Sequence, residues 1–159
     1  NYQQTIYTMK TYALITGLLI SFILISCGSE SSGDNDPLIP DNTQEVTGTV
    51  QLIKGGPLTA QSSTNTRGMV EIVKDQQNKY FVRLSDSFTT KFSTGTVTVY
   101  LSTGQTLNLN SQGSFQLISI VGKAGEHFFA LPGKPDDKFT HGIIWCGAAG
   151  IPFGFAPLN

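Results

Sequence analysis

From about Glu45 onward the chain alternates between apolar and polar positions with a period of two. Val46, Gly48, Val50 and Leu52 fall on one side of an extended segment and Thr47, Thr49 and Gln51 on the other. This predicts a first strand, ended by Lys54-Gly55-Gly56-Pro57. Met69 to Val73 predicts a second strand, stopped by the polar run Lys74-Asp75-Gln76-Gln77-Asn78. In Tyr80-Phe81-Val82-Arg83-Leu84 the arginine marks the wet face, which puts Tyr80, Val82 and Leu84 inside. Val97, Val99 and Leu101 do the same against Thr96, Thr98 and Tyr100. Leu107-Asn108-Leu109, Phe115 to Ile120 and His127 to Leu131 complete the series, each bounded by Gly, Asn or Pro. Short strands at this spacing, with no credible helix, predict an all-β domain over 45–159: a small antiparallel β-sandwich or a partly closed barrel.

Gly142-Ile143-Ile144-Trp145-Cys146 is apolar on both faces, as expected of a central strand buried on both sides. Strand parity groups Cys146 with Ile144 and Gly142, and Trp145 with Ile143 and His141. A nucleophilic Cys146–His141 pair is therefore not expected unless the strand bulges.

The first part of the chain has a different character. Residues 1–8 precede Met9 and read as an over-extended gene start. Residues 9–26 carry a basic start, an apolar run from Ala13 to Ile25 and a small residue, Ser26, which together predict a secretory signal. The run is short for a membrane span. Its end, Leu24-Ile25-Ser26-Cys27, resembles the lipobox of bacterial lipoproteins, which implies lipidation of Cys27 and attachment to the membrane through that lipid. Two or three acyl chains hold firmly, since each buried methylene contributes about 0.8 kcal/mol. Residues 27–44 then form a polar, acidic tether. Gly28 after the cysteine matches the sorting pattern for the outer membrane, on its periplasmic face or at the cell surface.

Composition narrows the function. Charged residues make up 13% of the 159, the formal net charge is −1, and Lys and Arg are scattered singly. No basic patch marks a nucleic-acid partner. There is no G-x-S-x-G, Walker loop or H-E-x-x-H. Asp75, Asp86, Glu126, Asp136 and Asp137 fall mostly in turn-like stretches, and Asp136-Asp137 reads as a solvated turn rather than an acid–base dyad. The chain reads as an accessory domain more than a stand-alone enzyme.

The remaining chemistry belongs to Cys146, His127 and His141. With Cys27 consumed by lipid, Cys146 is an odd cysteine in an oxidising compartment: buried core, a redox or ligating thiol, or an intermolecular bond. A copper or zinc site would need His127, His141 and Cys146 to converge. No C-x-x-C or H-x-x-x-H spacing supports this, so no metal site is assigned. His127 is the candidate for tuning the thiol if its strand neighbours the cysteine strand.

From about Gly48 to Leu158 the chain resembles the DM-thirteen domain, often described as an electron-transfer domain. The likeness rests on Arg67-Gly68-Met69-Val70-Glu71-Ile72, on Leu84-Ser85-Asp86-Ser87-Phe88-Thr89-Thr90 and on Val97-Thr98-Val99-Tyr100-Leu101-Ser102. A strand ending in Leu131-Pro132, then Ile143-Ile144-Trp145-Cys146 and Phe153-Gly154-Phe155-Ala156-Pro157-Leu158, close it. The resemblance implies a β-sandwich-like domain whose possible redox thiol is Cys146, serving electron transfer with a partner protein in the cell envelope. No cofactor is identified, with haem and copper left open. Two departures stand out: Ala149 replaces an aromatic, and Ser93-Thr94-Gly95-Thr96 replaces a Gly-Pro. The rival expectation is a non-catalytic binding or structural module of the cell envelope, with Cys146 buried as core.

Overall fold

A computed structural model describes residues 44–159. The gene-start, signal-peptide and Cys27 readings lie outside the described residues, as does the tether except for Gln44. Among the described residues there are nine strands: β1 (Gln51–Pro57), β2 (Thr59–Ala60), β3 (Met69–Lys74), β4 (Tyr80–Leu84), β5 (Val97–Ser102), β6 (Phe115–Val121), β7 (His127–Ala130), β8 (His141–Cys146) and β9 (Ile151–Pro157). All pair antiparallel, in a four-stranded sheet of order β1-β3-β4-β7 and a five-stranded sheet of order β2-β9-β8-β5-β6. The fold is all-β, and the two sheets form a sandwich not closed into a barrel. No helix among the described residues is long and apolar enough to cross a membrane.

The interior follows the alternation. Val70 and Ile72 of β3, Val82 and Leu84 of β4 and Phe129 of β7 line one wall. Val97, Val99 and Leu101 of β5, Ile144 and Cys146 of β8, and Phe153 and Ala156 of β9 line the other. Each of these side chains is buried. A fully buried Val, Leu, Ile or Phe contributes about 1.5–3 kcal/mol, so this interior is the main source of stability. Arg83 faces outward as expected, opposite Glu71 of β3 and Phe128 of β7. Its guanidinium bonds the carboxylates of Glu71 at 2.8 Å and Glu126 at 2.6 Å.

β8 is central, between β9 and β5. Its second face is covered by a smaller cluster in which Tyr100, Leu107 and Ile143 are buried, with Phe115, Trp145 and Phe155 packed against them. The division of residues between the two faces of β8 is the one that strand parity gives.

Three local differences from the sequence reading have physical causes. Residues 44–50 are not a strand. They are tied at Gln44 N to Phe128 O (2.8 Å) and at Thr47, whose N–H reaches Asp75 Oδ2 (3.4 Å) and whose carbonyl accepts from Gln76 N (3.3 Å). β1 instead begins at Gln51 and runs through Gly55 and Gly56, where a side chain on Gly56 would collide with the Pro157 carbonyl of β9. The chain then passes through Leu58 into β2, switching from one sheet to the other.

Leu107-Asn108-Leu109 is also not a strand. Asn108 accepts from Asn110 N at its side chain (3.1 Å) and from Ser111 N at its carbonyl (3.1 Å), local bonds that compete with a sheet ladder. Leu107 alone turns down onto the outer cluster.

β9 carries Pro152 and Pro157, residues that interior strands exclude for want of an N–H. It is accommodated because β2 pairs only with Phe155 and Gly154, leaving both prolines beyond its reach.

Candidate functional site

β8 ends at Cys146, and Gly147 to Gly150 turn the chain back into β9. Cys146 is a free thiol, fully buried in the interior cluster. Its polar neighbours are Thr94 O at 3.7 Å and Thr94 Oγ1 at 3.9 Å, long contacts for the weak S–H donor. Thr94 belongs to a single 3-10 turn, Phe92–Thr94, just ahead of β5. Just after the turn, the chain is held to the β8–β9 connection by Gly147 N donating to Thr96 O (2.8 Å). A Cβ on Gly95 would sit 3.0 Å from Cβ of Ala148. The segments 93–96 and 147–150 thus meet in space beside Cys146.

His127 lies on β7, in the sheet opposite to Cys146, so its strand does not neighbour the cysteine strand. It is buried, stacked on Phe129 with centroids 5.7 Å apart and edge-on to Phe88 at 6.3 Å. Its Nε2 is 3.0 Å from the Lys123 carbonyl, which only accepts, so Nε2 carries the hydrogen. His141 lies on the outer face of β8 with Trp145 and Ile143, its ring 6.2 Å from Phe155. Nδ1 is 2.9 Å from Thr140 Oγ1, and partial burial pushes its pKa down from the ordinary 6.5. The three candidates are therefore spread over two sheets and two faces. No group of three or more His, Cys, Asp or Glu among the described residues could hold a metal ion.

Asp75, Asp136 and Asp137 have structural roles. Asp75 Oδ1 accepts from Gln77 N and Lys79 N, both at 2.9 Å, closing the β3–β4 turn. Asp136 accepts from Lys138 N (3.0 Å), and Asp137 pairs with Lys134 (2.9 Å), both at the exposed surface.

A site the sequence did not point to lies at the corner where β2 hands over to β3. An open depression of about 450 Å³ is lined by Ser63, Thr64, Asn65, Arg67, Thr89, Thr90 and Lys91. Arg67 and Thr89 exchange backbone hydrogen bonds of 3.0 and 3.1 Å, joining two otherwise separate loops. Beneath them runs a line of hydroxyls: Thr64 to Thr66 at 2.7 Å and Thr66 to Thr90 at 2.6 Å. In sequence, residues 62–66 look only like a polar low-complexity tract. The available signal was the repeated Thr at 64 and 66, followed by a cation, with a second Thr-Thr-Lys at 89–91.

Comparison with known proteins adds no relative: no family model, no curated protein and no solved structure matches the chain.

Proposed function

We propose that this chain is a lipid-anchored, extracytoplasmic β-sandwich that binds a partner, glycan or wall component, with Cys146 serving as core. The observation that carries this is the position of the cysteine. A reactive thiol sits in an electropositive, partly exposed setting that stabilises the thiolate. Cys146 has no exposure, an apolar interior around it and no basic side chain among its hydrogen-bond partners. The anchor is the lipid on Cys27, and the location is the outer membrane, on the periplasmic face or at the cell surface, as the lipobox-like Leu24-Ile25-Ser26-Cys27 and the following Gly28 support.

Thiol accessibility tests the role of the cysteine. In the folded protein a soluble alkylating reagent should leave Cys146 unmodified below the unfolding transition, and dilute peroxide should leave it reduced. Rapid modification in the native state would sink the reading. The anchor is tested separately by labelling with a fatty-acid probe in a bacterial host: label should enter the protein and be lost in Cys27→Ser.

A second reading, redox or electron transfer through Cys146 with a partner protein, draws support from the DM-thirteen resemblance and from one structural observation. The exposed turn at Thr94 supplies both polar contacts of the sulfur. In that reading the turn opens before the thiol reacts. Alkylation would then be measurable in native conditions and would accelerate when Gly147 is replaced by Pro, which removes the N–H donated to Thr96.

A further inference from the structure

We infer that the depression between Arg67 and Lys91 is a binding site for an acidic carbohydrate, whose carboxylate is held by the two cations and whose hydroxyl donates to Thr90. This rests on the binding-module reading above and names its ligand class.

Arg83, Lys134 and Lys138 are each paired with carboxylates. Neither Arg67 nor Lys91 forms an ion pair or side-chain hydrogen bond with any described residue, and both are exposed at the rim of one depression. Two uncompensated cations at one concave site favour an anion.

Counting hydrogens identifies the rest of the ligand. Thr64 Oγ1 lies 2.7 Å from Phe153 O and 2.8 Å from Gln61 O. Carbonyl oxygens only accept, so the single hydroxyl hydrogen of Thr64 is directed to them. The 2.7 Å contact between Thr64 and Thr66 then requires Thr66 to donate, and the 2.6 Å contact between Thr66 and Thr90 requires Thr90 to donate. Thr90 therefore meets anything entering the depression with lone pairs alone. A bare sulfate, which carries no hydrogen at neutral pH, can meet the cations but has nothing to donate to Thr90. A sugar acid satisfies both parts of the wall, offering a carboxylate to Arg67 and Lys91 and a hydroxyl hydrogen to Thr90.

The wall is also fixed in advance. Thr64 and Thr66 are buried, and the loop between β2 and β3 is held with Ser62, Ser63 and Asn65 at φ of 50°, 54° and 54°. Left-handed backbone costs roughly 1–2 kcal/mol per residue outside glycine, so the Thr64 anchor keeps an otherwise unfavourable shape. A preformed wall lowers the ordering cost of binding. The volume lies in the range of about 300–1,000 Å³ found for small-ligand sites.

The test is a titration of the full chain, solubilised in detergent, with a linear trimer of galacturonic acid at low salt, followed by amide NMR and calorimetry. Amide shifts are expected at Ser63 to Arg67 and Thr89 to Lys91. Arg67→Gln with Lys91→Gln should weaken binding roughly tenfold or more, about 1.4 kcal/mol. Thr90→Val should also weaken it, and the unfolding temperature of each variant checks that the domain remains folded. Maltotriose, which lacks the carboxylate, and inorganic sulfate, which lacks the hydroxyls, should each bind at least roughly tenfold more weakly. Absent shifts at these amides, undiminished binding in the double variant, or equal binding of maltotriose or sulfate overturns the proposal. No response to the sugar in a protein whose Cys146 stays protected removes this site and leaves the binding-module reading standing. Alkylation of Cys146 in the folded state removes that reading whatever the sugar does.

Discussion

Gly142 of β8 faces Val70 of β3 across the sandwich so closely that a Cβ at position 142 would lie 2.5 Å from Val70 Cγ1. No real Cβ contact is that short, so the two sheets approach here only because position 142 has no side chain. Gly142→Ala should destabilise the domain by about 1–3 kcal/mol through overpacking. Val70→Ala alone leaves a cavity and also destabilises. Combined, the two changes should cost less than the sum of their separate effects, because the new methyl occupies the space that Val70 vacates. Urea unfolding of the four proteins measures this, and strict additivity would place the contact elsewhere.

The same inner face of β8 ends at Cys146, where the alternative to sulfur matters more than its size. Cys146→Ser places a shorter, more polar group in an apolar interior, farther from the Thr94 carbonyl than the 3.7 Å of the thiol. An incompletely bonded hydroxyl costs about 1–3 kcal/mol, so Ser should be the less stable variant and Ala the milder one. Equilibrium denaturation ranks them. If Ser proves the more stable of the two, water reaches the site and the argument from burial fails.

Parity was enough to separate Cys146 from His141 and Trp145, because β8 is central and its alternation is not interrupted. The same holds for β3, β4 and β5, where the buried inward positions Val70, Ile72, Val82, Leu84, Val97, Val99 and Leu101 are all apolar. Alternation misled at 46–50, where Val46 and Val50 share a face in an extended chain but the ladder partner is absent before Gln51. It misled again at Leu107–Leu109, where Asn108 satisfies its neighbours locally. β9 was hidden by its prolines, whose tolerance depends on how far β2 extends beside it. The depression was illegible for a different reason. It is made by two loops some distance apart in sequence, joined by the Arg67–Thr89 bridge and by hydroxyl contacts that leave no periodic trace.

On the outer face of the four-stranded sheet, Arg83 joins two carboxylates and lies over the Phe128 ring at 5.7 Å. Glu71 is the buried member, with only 10% of its side chain exposed. Arg83→Met keeps much of the packing but leaves that carboxylate without its charged partner, which should cost about 1.5–3 kcal/mol. Adding Glu71→Gln should recover part of the loss, since the orphaned charge goes with it. A thermal melt of the single and double variants reads both effects. Failure of the second change to help would mean that packing over Phe128, and not charge, dominates.

Acid should weaken this fold in two separate windows, each traceable to one residue. Burial favours the neutral imidazole of His141 and holds its pKa below 6.5. The native state then binds fewer protons than the unfolded chain, so this contribution is complete above pH about 6.5 and lost as pH falls through the lowered native value. At Asp75 burial opposes ionisation, but the backbone N–H groups of Lys79, Thr47 and Gln77 outweigh it and hold the carboxyl below 3.8. Its contribution persists above the unfolded value and disappears as pH falls through the still lower native one. The urea midpoint should therefore decline first on the acid side of neutrality and again in the lower window. His141→Gln should flatten the first decline and leave the second. Asp75→Asn should lower stability near neutral pH, where Asp75 accepts three backbone N–H groups as a carboxylate, and its deficit against the native chain should shrink as pH falls below the unfolded carboxyl range. A deficit that stays constant on acidification would mean that the turn gains from the shape of the side chain at 75 and not from its charge.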